Sequence, residues 1–98
     1  MIKVIASDSF ASWVDDLKDR KTRVRILDRI DRLAGGNFGD RAPVGSGVFE
    51  LRLHFGPGYR IYYVRQGDTV VVLLCGGDKA SQTRDIRRAQ KMAEEWKR

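Results

Sequence analysis

The sequence predicts an α+β domain in which an early pair of helices and one late helix cover a small antiparallel sheet. Three observations predict it. Two amphipathic helical segments precede residue 35, the apolar period changes from 3.6 to 2 at residue 48, and a basic helical segment closes the chain. Its 98 residues suit a single domain, 1–98, with one packed unit.

Residues 2–5 (IKVI) read as a short strand. Ser7 or Asp8 then caps a helix in which Phe10, Trp13, Val14 and Leu17 recur at i, i+3, i+4 and i+7, giving an apolar stripe as far as about Asp19. A second helix begins near Thr22. Val24, Ile26, Leu27, Ile30, Leu33 and Ala34 line one side of it, Arg23, Arg25, Asp28, Arg29, Asp31 and Arg32 stay in water, and Gly35-Gly36 ends it. A few polar residues separate the two helices, so an antiparallel helical hairpin is expected. Residues 35–47 (GGNFGDRAPVGSG), with five glycines and one proline, read as a loop.

From Val48 the residues alternate, with Phe49, Leu51, Leu53 and Phe55 on one face and Val48, Glu50, Arg52 and His54 on the other. Residues 59–65 supply the partner strand. A three-residue turn at Gly56-Pro57-Gly58 pairs Phe55 with Tyr59, Leu53 with Ile61 and Leu51 with Tyr63, all apolar or aromatic. The same register gathers Glu50, Arg52, His54, Arg60 and Tyr62 on the opposite face, whereas a four-residue turn sets Leu53 against Arg60 and mixes the faces. Residues 69–75 (TVVVLLC) are apolar without alternation, as in a central strand covered on both sides. Gly76-Gly77 then reads as a turn, and Lys79 just beyond it can reach the polar face. From about Ser81 a helix sets Ile86, Ala89, Ala93 and Trp96 in a narrow apolar stripe among Arg84, Arg87, Arg88 and Lys91. Packing that stripe on the sheet partly roofs the polar face into a cleft. The order is βααβββα.

Nineteen Lys and Arg against 13 Asp and Glu give a formal net charge of +6, which favours polyanions and makes nucleic acid the first partner class. The lone Cys75, in an apolar strand, excludes an intrachain disulfide and asks for no oxidising compartment, so a cytoplasmic protein is expected. No apolar run approaches a membrane span, and MIKVIASD lacks the apolar centre of a signal peptide. One Cys and one His cannot supply a zinc site, and no glycine fingerprint for phosphate or dinucleotide is present, so neither metal nor cofactor is expected.

The run GVFELRLHFGPGYRIYYV, followed by VVVLLCGGDK and a basic C-terminal helix, resembles the RelE/ParE superfamily of toxins from type II toxin-antitoxin modules, and within it the phage Gp49-like and HigB-like branch. The resemblance covers nearly the whole chain and rests on E-L-R, G-Y-R and G-G-D-K as a set. It implies a RelE-like fold and a small cytoplasmic toxin that enters the ribosomal A site and cuts mRNA without a metal. It also implies a cognate antitoxin, in the HigB-like branch a small helix-turn-helix protein. Arg52, Arg60 and Lys79 match the family's basic positions. Glu50 stands where some members carry a second sheet lysine, and Asp85 stands near a catalytic tyrosine of others.

Cleavage of RNA by its own 2′-OH needs a base for that hydroxyl, cations for the phosphorane and an acid for the departing 5′ oxygen. The two-pronged guanidinium suits the middle task, which falls to Arg52 and Arg60. The proton carriers stay open between His54, as the single histidine, and Glu50, provided that its pKa is raised. Lys79 serves the leaving group or holds phosphate. Tyr62 stacks on a base, donates its hydroxyl, or is an ordinary sheet tyrosine. Arg84, Arg87, Arg88 and Lys91 lie along RNA phosphates, while the arginines of the second helix are balanced by Asp28 and Asp31 as a solvated surface. Two alternative readings are a ParE-like gyrase poison and a nucleic-acid-binding relative that does not cut.

Overall fold

In a computed structural model that describes residues 1–97, one mixed sheet lies between two helical layers. The elements are β1 (Lys3–Ala6), α1 (Asp8–Asp15), α2 (Arg20–Ala34), β2 (Arg41–Pro43), β3 (Val48–Arg52), β4 (Arg60–Gln66), β5 (Val70–Gly77) and α3 (Gln82–Trp96). The sheet order is β1-β5-β4-β3-β2, with β1 parallel to β5 and the other pairs antiparallel. The α+β class and the C-terminal antiparallel meander are as the sequence predicts. No helix among the described residues is long and apolar enough to cross a membrane.

Local chemistry sets the helix starts. Ser7 caps α1, its Oγ accepting from the Phe10 amide at 3.1 Å, and the same hydroxyl donates to the Leu74 carbonyl at 2.6 Å. One serine thereby fixes α1 to β5, an inner strand of the sheet. Asp19 caps α2 by accepting from the Lys21 amide at 3.0 Å and the Thr22 hydroxyl at 3.0 Å. Helix α1 stops at Asp15, short of the expected Asp19, because Asp19 is already extended at φ −84° and ψ 115° as the cap of α2.

Alternation sorts the core into two layers. Leu51, Ile61, Tyr63, Val71 and Leu73 face Phe10, Val14, Ile26, Ile30 and Leu33 of the first two helices. Val48, Tyr62, Val64, Val72, Leu74 and Cys75 face Ala89 and Ala93 of α3. Opposite Tyr62 and Tyr63 the β5 ladder skips from Cys75 to Leu73, so Leu74 is an extra residue and the alternation changes phase there. Cys75 keeps the α3 side, Gly76 turns toward α1 and Gly77 toward α3.

Several expectations change. The predicted 35–47 loop contains β2, a three-residue edge strand whose Pro43 is tolerated because the outer side of an edge needs no ladder donor. The β3–β4 loop is five residues, His54 to Gly58, closed by Leu53 N–H donating to the Tyr59 carbonyl at 3.0 Å. Arg52 therefore pairs with Arg60 and Glu50 with Tyr62, two residues out from the predicted register. A two-residue slip keeps every side chain on its face, so the core and polar sides stand while the cross-strand partners change. Val24 and Leu27 of α2 are 57% and 49% exposed rather than core, and Trp96 is 44% exposed.

Gly76 and Gly77 belong to β5 rather than to a turn, and each is a site of close approach. A Cβ on Gly76 would strike the Trp13 ring of α1, and one on Gly77 would strike the Asp85 carboxylate of α3. Gly76→Ala is expected to destabilise the fold by about 2 kcal/mol through overpacking. Urea unfolding would show this as a lower midpoint at unchanged slope. A wild-type midpoint would mean that Trp13 does not seat there.

Candidate functional site

The α3 side of the β3–β4 pair carries a buried carboxylate, Glu50, with no exposed surface. Its Oε1 accepts from Arg52 Nε at 2.9 Å, and its Oε2 accepts from the Tyr62 hydroxyl at 3.0 Å and from Gln82 Nε2 at 2.7 Å. Arg60 Nε stands 4.0 Å from Oε2. Arg52 and Tyr62 arrive because alternate positions of neighbouring strands share a face, and Gln82 because it opens α3 directly above them. Burial works to raise the Glu50 pKa; the hydrogen bonds from Gln82, Arg52 and Tyr62 and the charge of Arg52 outweigh it, so the carboxyl is held below its ordinary value.

That environment revises the roles open to Glu50 and Tyr62. A base with a raised pKa was one expectation for Glu50; both of its oxygens are instead engaged and its pKa is lowered. The Tyr62 phenol is fully buried, and burial followed by the Glu50 charge pushes its pKa far above that of a free phenol. It offers no ring face for stacking and acts as a donor that fixes Glu50.

Arg60 is 8% exposed and donates through Nη1 to the carbonyls of Gly58 at 3.0 Å and Tyr59 at 3.2 Å. Its Nε is buried without a hydrogen-bond partner among the described residues. Gly58, at φ 77°, leaves room for both Arg60 and Lys79: a Cβ there would lie 3.4 Å from Arg60 Nη1 and 3.3 Å from Lys79 Cβ. The Lys79 amide donates to the Pro57 carbonyl at 3.4 Å, so the turn after β5 docks on the Gly56-Pro57-Gly58 loop with the lysine exposed.

His54 does not face Arg60, as the three-residue turn implied. It leaves the ladder, is 70% exposed, and places Nε2 at 2.6 Å from Asp40 Oδ2. The other Asp40 oxygen is 3.9 Å from Arg52 Nη1. One line of charge thus runs from Lys79 past Arg60, Glu50, Arg52 and Asp40 to His54. Of the α3 cations, Arg84 and Arg87 border the same hollow as Asp78 and Ser81 beside Lys79. Arg88 instead points to α1 and donates to Ser9 Oγ at 3.1 Å, and Lys91 is exposed further along the helix.

Sequence reasoning missed Asp40 and Gln82, and it noted Asp85 only as standing near a family tyrosine position, without foreseeing its burial. Asp85 is 4% exposed and accepts from the Ser81 hydroxyl. A signal for two of them existed: Gln82 and Asp85 precede Ala89 and Ala93 on the helical stripe that faces the sheet, so polar groups there were bound to meet the sheet, Asp85 buried and Gln82 partly so. Cys75 is buried, and burial raises its thiol pKa to about 11, so it is no thiolate nucleophile.

Fold and site together define a small basic α+β domain whose sheet turns a chain of cations, anchored on buried acid, toward one edge. The chain belongs to the Phage derived protein Gp49-like (DUF891) family, whose model matches residues 12–97. It is also similar to a Haemophilus influenzae (strain Rd) protein described as "Uncharacterized protein", at 45% identity over 94 residues, covering 96% of this chain and 95% of that one.

The lowered Glu50 pKa sets a direction for acid stability. Stability from this carboxylate is present above the unfolded value, about 4.3 for Glu, and is lost as pH falls through the lower folded value. Glu50→Ala is expected to cost about 3 kcal/mol near neutrality, since it removes one side of a buried charge network. The variant should also lose much of the wild-type fall in stability below about pH 4. Thermal melts across pH 2–7 check both, and identical pH profiles would show that Glu50 is not the anchor.

Proposed function

We propose that this protein is the toxin of a type II toxin-antitoxin module, of the RelE and HigB kind, and an mRNA endoribonuclease that works on the ribosome without a metal. Membership in the Gp49-like family supports this reading, as do a net charge of +6 and the sheet geometry. The observation that carries it is the placing of Arg52 and Arg60 on facing strand positions beside one buried carboxylate, with Lys79 brought over Gly58 to the same edge.

In this reading the phosphate to be cut meets the guanidinium edges of Arg52 and Arg60, which neutralise the charge that grows on the phosphorane. His54 accepts the proton of the attacking 2′-OH, and Asp40 holds its imidazole as the carboxylate of a His–Asp pair does. The 2′ oxygen bonds to phosphorus, the bond to the 5′ oxygen breaks, and that oxygen takes a proton from Lys79. The products are a 2′,3′-cyclic phosphate and a free 5′-OH. Arg84 and Arg87, beside Lys79, continue the cationic surface along ribosomal or messenger RNA. The partner that silences the toxin is a small helix-turn-helix antitoxin, and the site of action is the cytoplasm, where the ribosomes are.

The test is expression of wild type, Arg60→Lys and Lys79→Ala with mapping of mRNA 5′ ends. Wild type is expected to produce cuts within translated frames, and each variant to cut at least about 100-fold more slowly, as when a transition-state donor is lost. Arg60→Lys keeps the positive charge under α3, and circular dichroism confirms that it folds. DNA breaks without mRNA cuts would establish a gyrase poison instead, and ribosome binding without cleavage a non-cutting relative.

A further inference from the structure

A second cationic feature lies on the other side of Arg52. Arg25, Arg29 and Arg32 follow one another at i, i+4 and i+7 along α2 and border a groove of about 400 Å³, closed on its far side by Arg52 and His54. The sequence pattern alone made these arginines an ordinary solvated helix face. The structure gives them a common target. With Arg25, Arg29, Arg32 and Arg52 against Asp28 and Asp40, the groove carries two excess positive charges before His54 is counted.

The walls are held open by contacts that leave cationic surface free. Arg29 donates to the carbonyls of Asn37 and Phe38, which fixes the loop that carries Asp40. Gly39, at φ 62°, leaves space for that guanidinium. Arg25 places its guanidinium carbon 3.7 Å from the centre of the Phe55 ring, a cation–π contact that spends none of its N–H donors on a hydrogen bond to the described residues. Arg32 pairs with Asp28 at 2.8 Å, but both side chains are more than half exposed. An exposed i,i+4 pair of this kind contributes little, so a phosphate can replace it easily. Arg25 and Arg32 are roughly 10 Å apart along the helix axis, which leaves room for more than one backbone phosphate.

We propose that the groove between α2 and the end of β3 is a phosphate subsite for the single-stranded RNA beside the cut, gripped by Arg25 and Arg32. It rests on the endoribonuclease reading for its position, since Arg52 and His54 form both its rim and the edge of the reaction centre. Its ligand is the sugar-phosphate backbone, so it adds affinity without reading sequence.

The full-length protein is titrated with a fluorescent 2′-O-methyl RNA hexamer, which cannot be cut, at several salt concentrations. Arg25→Gln/Arg32→Gln is expected to weaken binding about tenfold and to reduce the salt slope by about 1.4, or 0.7 for each of two single-strand contacts. Lys18→Gln/Lys21→Gln removes the same charge from exposed positions outside the groove and is expected to stay near wild type. Equal losses in the two variants overturn the subsite, as does unchanged binding in the arginine variant or failure of the wild type to bind. The parent reading fails separately: groove-dependent binding by a wild type that leaves mRNA intact on ribosomes keeps the subsite and removes the nuclease.

Discussion

The fold depends most on one carboxylate taken out of water. Burying an ion costs several kcal/mol, and that cost is met here only because Arg52, Tyr62 and Gln82 each donate to Glu50 from a different element. The three donors come from β3, β4 and α3, so satisfying the acid also fixes the helix against the sheet. Small residues let that helix descend: Ala89 and Ala93 face the strands, and Gly77 makes room for Asp85. A looser roof would admit water to Glu50 and release Arg52. The cation that faces solvent is therefore positioned by an acid that does not.

The bulge at Leu74 has a similar reach. Without the extra residue, alternation along β5 would carry Gly76 to the α3 side and Gly77 to the α1 side. With it, the Trp13 ring of α1 covers one glycine while Asp85 of α3 approaches the other. The strand then leaves the sheet at the angle that lays Lys79 on the Gly56-Pro57-Gly58 loop. A one-residue irregularity in the ladder thus links both helical layers to the position of a lysine.

What could be read from the sequence follows from the period of each element. Alternation of two assigned Glu50, Arg52, Arg60 and Tyr62 to one face, and that assignment holds because the true register differs from the expected one by two residues. The opposite partners could not be read this way, since any even slip satisfies the same hydrophobic pattern. The pairing of His54 could not be read, because its partner Asp40 is 14 positions away, in a glycine-rich segment where periodicity carries no signal. Strand β2, three residues with a proline at an edge, was hidden for the same reason. Val24 and Leu27 were misplaced because the narrow buried stripe of α2 needs only Ile26, Ile30 and Leu33. Burial of Glu50 had no signature at all within β3; it appears only when α3 is laid across the sheet.

The choice of arginine over lysine at positions 52 and 60 has a physical reason in these contacts. Arg52 gives Nε to Glu50 and keeps its Nη groups toward Asp40 and solvent, and Arg60 gives Nη1 to two loop carbonyls while its Nε faces Glu50. Arg52 is thus anchored through Nε and presents its Nη groups, while Arg60 is held almost wholly beneath the surface. A lysine ammonium is a single point charge: once drawn to Glu50 it would have little left to offer a ligand. Nor would it hold a fixed orientation, because its three donors rotate about one bond. Lys79 is exposed in the turn after β5, where a hydrated charge costs little. Fixed guanidinium groups on the sheet beside a free ammonium on the turn thus divide the work between holding charge in place and following a group that moves.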